Sequence, residues 1–334
     1  MLPDTARELK ARLSQRLSEA PAARASALGG ATRWSGIALG LAPVRPGQVH
    51  LAIRLIDQAD ADVVLRGLDE GAREEVDVRV IGPVHPLTGP HGWSPAELQR
   101  RERPLRPGLS IGHPDVTAGT LGGFVRRAGS EDLLVLSNNH VLADSDAASE
   151  GDPALQPGVA DGGTAADQVG TLAAFVRLDA GPGNLVDAAV AALGAGVEAD
   201  PSAFPGGPLL SAVPASEDVD PDELVEKVGR TTGHTRGRIT AVEVDGVGVQ
   251  YDDGLHTFDD QIEIEGLTGA FSAGGDSGSV IWRSRDRAPL ALLFAGSTEG
   301  GAAGGGVTFA NPLGTVLDRL GAEWWMDPTP PTTR

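Results

Sequence analysis

Short apolar runs separated by glycine, aspartate and proline fill the chain from Ala118 to Leu320. They recur at intervals of roughly 8 to 15 residues, a spacing typical of antiparallel β-barrels and sandwiches. The predicted strands are Leu121–Arg126, Leu133–Ser137, Val169–Leu178, Val186–Leu193, Leu224–Val228, Arg238–Val244, Gly248–Tyr251, Gln261–Ile264, Ser279–Trp282, Ala291–Ala295 and Gly306–Ala310. A last apolar stretch, Leu313–Leu320, predicts a helix that closes this region.

The N-terminal part of the chain follows a different pattern. Leu9, Leu13 and Leu17 recur every four residues behind a capping box, Thr5–Glu8, and predict a short amphipathic helix. Alternating apolar positions and one helical stretch then follow at Ser35–Leu41, His50–Ile56, Ala61–Arg66 and Glu75–Ile81. They predict a small α/β module without a cluster of chemical groups, so its expected role is packing or docking.

Two segments with loop composition divide the chain. Gly82–Gly108 is rich in proline, glycine and arginine and predicts a linker with one helical turn at Ser94–Glu97. Gly194–Asp222 is acidic and predicts a crossing between two β units. We therefore expect residues 1–105 to form the helix, module and linker, residues 106–200 a first barrel, and residues 201–334 a second barrel with the C-terminal helix and tail.

Composition agrees with a mainly β protein, because 46 glycines and 24 prolines accompany only seven Phe, five Trp and one Tyr. A net charge of −19 argues against nucleic acid or an anionic membrane as the main partner. The chain has no cysteine, which excludes disulfides and thiol chemistry. Residues 1–20 lack the apolar core of a signal peptide and no window resembles a membrane span, so we expect a soluble, cytoplasmic protein.

The most distinctive stretch is Ala273–Val280, a glycine-wrapped serine that opens into an apolar run. A serine hydroxyl is a poor nucleophile unless a base activates it and hydrogen-bond donors stabilise the oxyanion. Gly275 and Gly278 allow a sharp turn, so the amides of Gly275 and Ser277 are predicted to converge on one point. Ser277 is therefore the candidate nucleophile; the alternative is a glycine-rich loop with an incidental serine.

His140 is the candidate general base. It follows Leu133–Leu136, which has the composition of a buried strand, and the turn residues Asn138 and Asn139. Imidazole can accept the serine proton and later return it. His234 is the competing histidine, and its surroundings predict a loop residue.

Asp187 is the candidate orienting carboxylate because it lies inside the apolar segment Leu185–Val190. A carboxylate is expensive to bury unless it is paired, and the imidazole N–H would pair it. Asp179 is the alternative, but a Gly and a Pro follow closely and predict a turn. Two further aspartates lie too near the histidine in sequence to reach its ring: Asp144 and Asp146.

In the order His, Asp, Ser these segments resemble the trypsin-like (chymotrypsin-fold) serine peptidases of bacteria. The likeness covers Ala118–Leu320, and its motifs are Ser137–Leu142, Val186–Ala189 and Gly275–Ser279, with Gly119–Gly122 and Val228–Gly233 as further similar stretches. It implies two antiparallel six-stranded β-barrels with the triad between them, and a cofactor-free serine endopeptidase that works through an acyl-enzyme. The N-terminal α/β segment also resembles one that precedes the protease domain in some of these proteins.

The chain departs from the family pattern in two ways. It contains no Ile-Val-Gly-Gly terminus to insert, so Asp276 needs another partner or simply caps the loop. Phe271 stands where trypsin-like specificity would place an acid, which disfavours Arg or Lys substrates. The resemblance implies a pocket for small or medium apolar side chains, formed by Phe271, Ser272, Ala295, Gly296 and Ser297.

Two other functions fit the same sequence. One is a binding or scaffolding protein of the protease fold with little turnover, and the other is an esterase with the same triad. In each case the expected partner is a protein, a peptide or an ester, and the N-terminal module would bind a protein partner or a second copy. No metal or phosphate site is predicted, because the spacing of these residues fits neither: Asp252, Asp253, Asp259, Asp260 and Gly300–Gly306.

Overall fold

The structure is a computed structural model. It describes residues 1–19, 37–58, 61–66, 68–82, 84–86, 96–127, 129–130, 132–181, 183–301 and 304–326. Three predicted features therefore lie wholly or partly outside the described residues: the start of the first strand at 35–36, the helical turn at 94–97 and the C-terminal tail.

The N-terminal module is a three-stranded sheet covered by a helix. Its elements are α1 (Pro3–Glu19), β1 (Ile37–Arg45), β2 (Gln48–Leu55), α2 (Ala61–Leu65), α3 (Glu70–Arg73) and β3 (Val76–Val80). β1 and β2 form an antiparallel hairpin, whereas β3 pairs parallel to β2 after the crossover through α2 and α3. Leu9 and Leu13 of α1 pack against the apolar face of this sheet, so the leucine repeat buries as predicted. A two-residue strand, β4 (His85–Pro86), follows.

The first β unit is a six-stranded antiparallel sheet to which the C-terminal strand β20 (Ala322–Trp324) contributes, in the order β20-β7-β8-β11-β10-β9. Its elements, with the small β5–β6 pair, are β5 (Ser110–Ile111), β6 (Gly119–Thr120), β7 (Gly123–Arg127), β8 (Leu133–Ser137), α4 (Asn139–Leu142), β9 (Pro153–Leu155), β10 (Gln168–Phe175) and β11 (Ala189–Leu193). Short 3-10 turns lie at Asp144–Asp146, Val159–Asp161, Ala165–Asp167 and Ser216–Asp218. The strand that completes the sheet comes from the C-terminus, after the last helix.

The second unit is a closed six-stranded antiparallel barrel in the order β12-β17-β18-β19-β16-β13, with β13 pairing back to β12. The C-terminal elements are β12 (Leu224–Gly229), β13 (Gly233–Asp245), β14 (Val247–Tyr251), β15 (Gly254–Phe258), β16 (Gln261–Gly266), β17 (Val280–Arg283), β18 (Pro289–Gly296), β19 (Thr308–Pro312), α5 (Leu313–Leu320) and β20 (Ala322–Trp324). β14 and β15 form a hairpin of their own.

The module and the second barrel share one continuous sheet, because β1 pairs antiparallel with the C-terminal half of β13. Arg54 of β2 is fully buried and donates to the buried Glu263 of β16 at 2.6 and 2.9 Å. Paired hydrogen bonds of this kind compensate two charges that would otherwise be costly to bury. The module is therefore joined to the barrel through backbone and side chains together.

The predicted fold class is confirmed: the chain is mainly β, with a closed antiparallel six-stranded barrel and a small α/β module ahead of it. β8 and α5 have the predicted bounds. The short strand β15 was not predicted, and β13 begins five residues earlier than expected. In the described part of the chain, no helix is long and apolar enough to cross a membrane.

Candidate active site

Strand pairing brings the candidate histidine and aspartate together. β8 ends at Ser137, which lies opposite Ala189 at the start of antiparallel β11. The residues that follow β8 therefore lie beside those that precede β11, and His140 in α4 faces Asp187. Nδ1 of His140 is 2.5 Å from Oδ2 of Asp187, and the His140 amide donates to Oδ1 at 3.2 Å.

Asp187 is fully buried and all its polar groups are bonded. Its amide donates to Oδ1 of Asn311 at 3.0 Å, and its carbonyl accepts from the side chain of Asn138 at 2.7 Å. Oδ2 also accepts the hydroxyl of Tyr251 at 2.6 Å. Burial by itself raises the pKa of Asp187. The charge of His140 and the hydrogen bonds from His140 and Tyr251 lower the pKa by more than burial raises it, so the net pKa is below the ordinary value. The carboxylate therefore stays ionised at neutral pH.

Thr120 of β6 connects the loop that carries the serine to the strand that precedes the histidine. Its amide donates to the Ser277 carbonyl at 2.7 Å, and its hydroxyl donates to the Gly275 carbonyl at 2.8 Å. The Thr120 carbonyl in turn accepts the hydroxyl of Ser137, at the end of β8, at 2.8 Å. One residue therefore fixes the two candidate segments, of Ser277 and of His140, relative to each other.

Two glycines explain the motif Gly119–Gly122 of the sequence. A Cβ at Gly119 would lie 2.3 Å from Val141 Cγ2 and 3.0 Å from the Ser277 carbonyl. A Cβ at Gly122 would lie 2.0 Å from the carbonyl oxygen of Gly278. The distances of 2.3 and 2.0 Å are shorter than real contacts allow, so only glycine lets this segment lie between the histidine and serine loops.

The serine and histidine side chains are not hydrogen-bonded to each other in the structure. Nε2 of His140 is buried without a hydrogen-bond partner among the described residues, and the Ser277 hydroxyl donates to the Phe294 carbonyl at 3.4 Å. A contact of 3.4 Å is weak, and hydrogen bonds in free enzymes often tighten only when substrate binds. Asp187 thus orients the imidazole through Nδ1, while Nε2 has no hydrogen-bond partner among the described residues.

The backbone around the serine leaves two amides free. Gly275 has a φ of +94°, in the left-handed region that favours glycine. The amides of Gly275 and Ser277 donate to no acceptor in the described part of the chain, whereas the Asp276 amide between them donates to the Ala273 carbonyl at 3.0 Å. Two unpaired donors on one loop are the groups that an oxyanion hole requires.

Asp276 has the partner that the sequence left open. Its buried carboxylate accepts the amides of Thr231 at 2.8 Å, Thr232 at 3.1 Å and Ala273 at 3.0 Å. The ammonium group of Lys227, fully buried, lies 3.3 Å from Oδ2. Burial lowers the pKa of Lys227 below its ordinary value, although the charge of Asp276 acts against this shift. The loop is therefore held by an internal cation.

The first two predicted pocket residues differ in their surroundings. Phe271 is 2% exposed and its side chain packs in the core of the second barrel, while its carbonyl accepts the hydroxyl of Thr235 at 2.7 Å. The hydroxyls of Ser272 and Thr308 are 2.6 Å apart. The structure thus makes Phe271 a core residue and gives the neighbouring position a pair of hydroxyls.

The other three predicted pocket residues lie at the end of β18. Ala295 and Gly296 pair on one side with β19 and on the other with β4, whose residues His85 and Pro86 lie opposite them. The hydroxyl of Ser297 donates to the Glu299 carbonyl at 2.5 Å. These residues follow Phe294 directly and therefore lie close to Ser277; their contact with substrate stays a prediction.

The competing residues have other partners. The prediction that His234 is a loop residue was wrong, because it lies in β13. Its Nε2 is 2.6 Å from Glu226, and its ring stacks on Trp282 at 5.8 Å. Asp179 follows β10 in an irregular segment, where its backbone exchanges two hydrogen bonds with the side chain of Asn184.

One group of possible metal ligands appears among the described residues, formed by His113, Asp115 and Asp144. Nδ1 of His113 already accepts the Asp115 amide at 3.2 Å, which occupies its lone pair. The group is therefore poorly suited to a metal ion. Asp146 accepts the side-chain amide of Asn139 at 2.6 Å and has a structural role.

Several residues that hold this site were not predicted from the sequence, namely Lys227, Tyr251 and Asn311, and for Thr120 the sequence indicated only the surrounding stretch Gly119–Gly122. Tyr251 carried a signal, since it is the single tyrosine of the chain. The others are ordinary polar residues of strands, and only the long-range pairing of strands gives them a partner.

Comparisons with known proteins give matches among solved structures only. No protein-family profile and no curated protein sequence matches the chain. Among solved structures it is similar to Thermobifida fusca protease A (18% identity, TM-score 0.45, covering 66% of this chain and 100% of that one). It is also similar to Cellulomonas bogoriensis chymotrypsin (22% identity, TM-score 0.44, covering 66% of this chain and 100% of that one). A third similar structure is Nocardiopsis protease (19% identity, TM-score 0.46, covering 66% of this chain and 99% of that one). At these identities and TM-scores the likenesses assign no role to any individual residue.

Proposed function

We propose that the chain is a serine endopeptidase. The observation that carries the proposal is the His140 ring, fixed on Asp187 through Nδ1 and left with a buried, unpartnered Nε2. A buried imidazole nitrogen without a hydrogen-bond partner is energetically costly, and a catalytic role is one reason why a protein retains such a group. The Ser277 loop is bonded to the same β6 strand as the histidine segment, and it offers two free amides.

In the proposed reaction Ser277 turns from the Phe294 carbonyl toward Nε2, which takes the hydroxyl proton as oxygen attacks the peptide carbonyl. The oxyanion then accepts the amides of Gly275 and Ser277. The imidazolium, paired with ionised Asp187, returns its proton to the leaving amine, and water releases the acyl group by the same steps. Besides the substrate, these steps use only groups of the chain and one water molecule.

A proteome-derived peptide mixture provides the test. Incubation with the wild-type chain should produce new peptide termini with a common side-chain preference, read by mass spectrometry. Ser277→Ala should remove them and leave the thermal unfolding curve unchanged, because it deletes only one oxygen. The same cleavage products from wild type and Ser277→Ala would disprove the assignment.

The second candidate is a protein of the same fold that binds partners with little turnover. It is favoured by one observation, the contact of the Ser277 hydroxyl with the Phe294 carbonyl in place of His140. A fluorophosphonate reagent separates the candidates, because only an activated serine reacts with it. Labelling without peptide cleavage, together with ester turnover, would instead favour the acyl-hydrolase alternative.

A further inference from the structure

Tyr251 touches the reactive centre from the hairpin β14–β15. Tyr251 is buried, and its hydroxyl donates a hydrogen bond to Oδ2 of Asp187 at 2.6 Å. The same oxygen lies 2.5 Å from Nδ1 of His140. The tyrosine ring also lies edge-on to the imidazole, with 6.1 Å between the ring centroids.

The phenol is held rigidly and remains a donor. Its ring packs edge-on against His256 at 5.1 Å, and His256 is fixed between the Asp179 carbonyl and the carboxylate of Asp253, each at 2.9 Å. Burial raises the pKa of Tyr251 well above its ordinary value of 10.0, and the nearby charge of Asp187 adds to this effect. A phenol in this setting keeps its proton at neutral pH and remains a hydrogen-bond donor.

We propose that Tyr251 is a positioning residue that fixes the carboxylate of Asp187 in the plane required by the His140 ring. The role rests on the proposed function. A carboxylate oxygen that receives two donors cannot turn about its χ2 angle without breaking one of them, so the phenol limits the rotation of the group that holds the base. Loss of a hydrogen bond to a charged group typically shifts an equilibrium by about tenfold or more, and we expect a similar factor in the rate if the bond holds the base in its reactive orientation.

Tyr251→Phe tests the role because it removes one oxygen and keeps the packed ring. We expect kcat for peptide cleavage to fall about tenfold with KM unchanged, since only the geometry of the base is altered. Thr257→Val is the matched control, because it deletes another buried hydroxyl from the paired strand β15. It should keep wild-type kinetics.

A spectroscopic readout separates positioning from simple structural support. The proton between Nδ1 of His140 and Asp187 gives a downfield proton NMR signal, which should shift in Tyr251→Phe and stay in place in Thr257→Val. A wild-type kcat or an unshifted signal in Tyr251→Phe would overturn the role. If the wild-type chain cleaves nothing, the proposed function fails, whereas the NMR signal still tests the contact.

A second inference comes from an independent observation, the occupancy of the edge of β18 beside Ser277. Along β18, Leu292 pairs with β17, and Leu293 then exchanges two hydrogen bonds with Gly278 and Ser279 at 2.8 and 2.9 Å. The next residue, Phe294, accepts the Ser277 hydroxyl. β17 begins at Val280 and does not extend past it toward the serine, so the part of this edge of β18 that lies beyond the serine is not paired with β17.

That edge is filled by the chain itself. In antiparallel register, β4 places His85 opposite Gly296 and Pro86 opposite Ala295, so its backbone runs toward the serine. Extended peptides commonly bind by adding a strand to such an edge. The inserted segment is short. Pro86 has no amide hydrogen to donate, and Val84, buried in the same apolar cluster as Phe294, is joined to the hairpin by one bridge to Val249 and a 3.2 Å bond from Gln250.

We infer that residues 84–86 form an inhibitory strand in cis, which must leave β18 before a substrate peptide can pair there. The inference rests on the proposed function. Two strands cannot occupy one edge, so the segment competes with every substrate that binds in extended form. A small reagent that reacts with Ser277 without pairing to β18 does not compete with residues 84–86, so it can still reach the serine.

The double variant Val84→Cys with Val249→Cys tests the inference. Its two positions are bridge partners, and the chain has no other cysteine, so oxidation can form only this disulfide within one molecule. We expect the oxidised form to cleave peptides at less than about a tenth of the rate of the reduced form, while both react equally fast with fluorophosphonate. Oxidant should leave the wild type unchanged.

Equal peptide cleavage in the oxidised and reduced forms would overturn the inference. Val84→Asp is a second test, in which the segment is released and not locked. A charge in place of this buried valine should destabilise the packing of residues 84–86 against β18. It should lower KM for peptides several-fold, and an unchanged KM would also count against the inference. Absence of fluorophosphonate labelling in every form would instead contradict the proposed function.

Discussion

Replacement of Lys227 by methionine gives the most informative prediction about the serine loop. The ammonium group is fully buried, lies 3.3 Å from Oδ2 of Asp276 and donates to the Gly233 carbonyl at 3.2 Å. Methionine keeps most of the apolar stem and removes the charge. Since Asp276 would then remain charged in the interior without a counter-ion, the free energy of unfolding should fall by about 3–5 kcal/mol. The backbone amides that donate to Asp276 compensate part of its charge, so we expect a loss near the lower end of this range.

The same substitution should reduce catalysis. Asp276 lies between Gly275 and Ser277, and its carboxylate fixes the loop that presents their amides. If the loop shifts, at least one oxyanion donor is lost, which typically lowers kcat by about 10²–10³-fold. Urea unfolding measures the first effect, and peptide hydrolysis by the folded variant measures the second.

Two controls make the result decisive. Arg238→Met removes the cation of an exposed pair with Asp222 (3.0 Å), and surface pairs contribute only about 0–1 kcal/mol. The double variant Lys227→Met with Asp276→Asn should regain stability, because no unpaired charge remains, without regaining kcat. A loss below about 1 kcal/mol together with a wild-type kcat in Lys227→Met would refute the reasoning.

Three further predictions follow. Gly122→Ala forces a Cβ to within 2.0 Å of the Gly278 carbonyl, so peptide hydrolysis should fall at least about tenfold; unchanged hydrolysis would contradict the packing. Burial raises the pKa of Asp187, but the charge and hydrogen bonds around it bring the pKa below 3.8, so its stabilisation is present above pH 3.8 and lost as the pH falls through the folded value. The unfolding free energies of wild type and Asp187→Asn should therefore converge in acid, as measured by urea titration at each pH. Arg54→Met leaves Glu263 charged and buried and should destabilise the chain by about 3–5 kcal/mol; a change below about 1 kcal/mol would mean that the ion pair does not join module and barrel.

The arrangement of His140 and Asp187 could be predicted because both lie at the ends of apolar strands whose pairing follows from ordinary β patterning. The identity of the partner of Asp276 could not. Lys227 lies on a strand that precedes the loop by more than forty residues, and nothing local distinguishes a buried lysine from an exposed one. Its role depends on the pairing of β12 with β17, which brings the strand of Lys227 beside the segment that follows the serine loop.

The N-terminal module shows the same limit. Its helix and strands were predictable from their apolar spacing, as the burial of Leu9 and Leu13 shows. Its attachment was not, because an edge strand such as β1 can pair with any exposed edge. The pairing with β13 and the insertion of β4 beside β18 join segments that are distant in sequence, so these contacts appear only in the folded chain.

Mass spectrometry of the chain after brief exposure to a fluorophosphonate tests the central assignment most directly. The assignment predicts a single adduct, located on Ser277 by tandem fragmentation, and a rate of formation at least about a hundredfold lower in His140→Ala. No adduct, an adduct on another residue, or equal labelling of wild type and His140→Ala would contradict it.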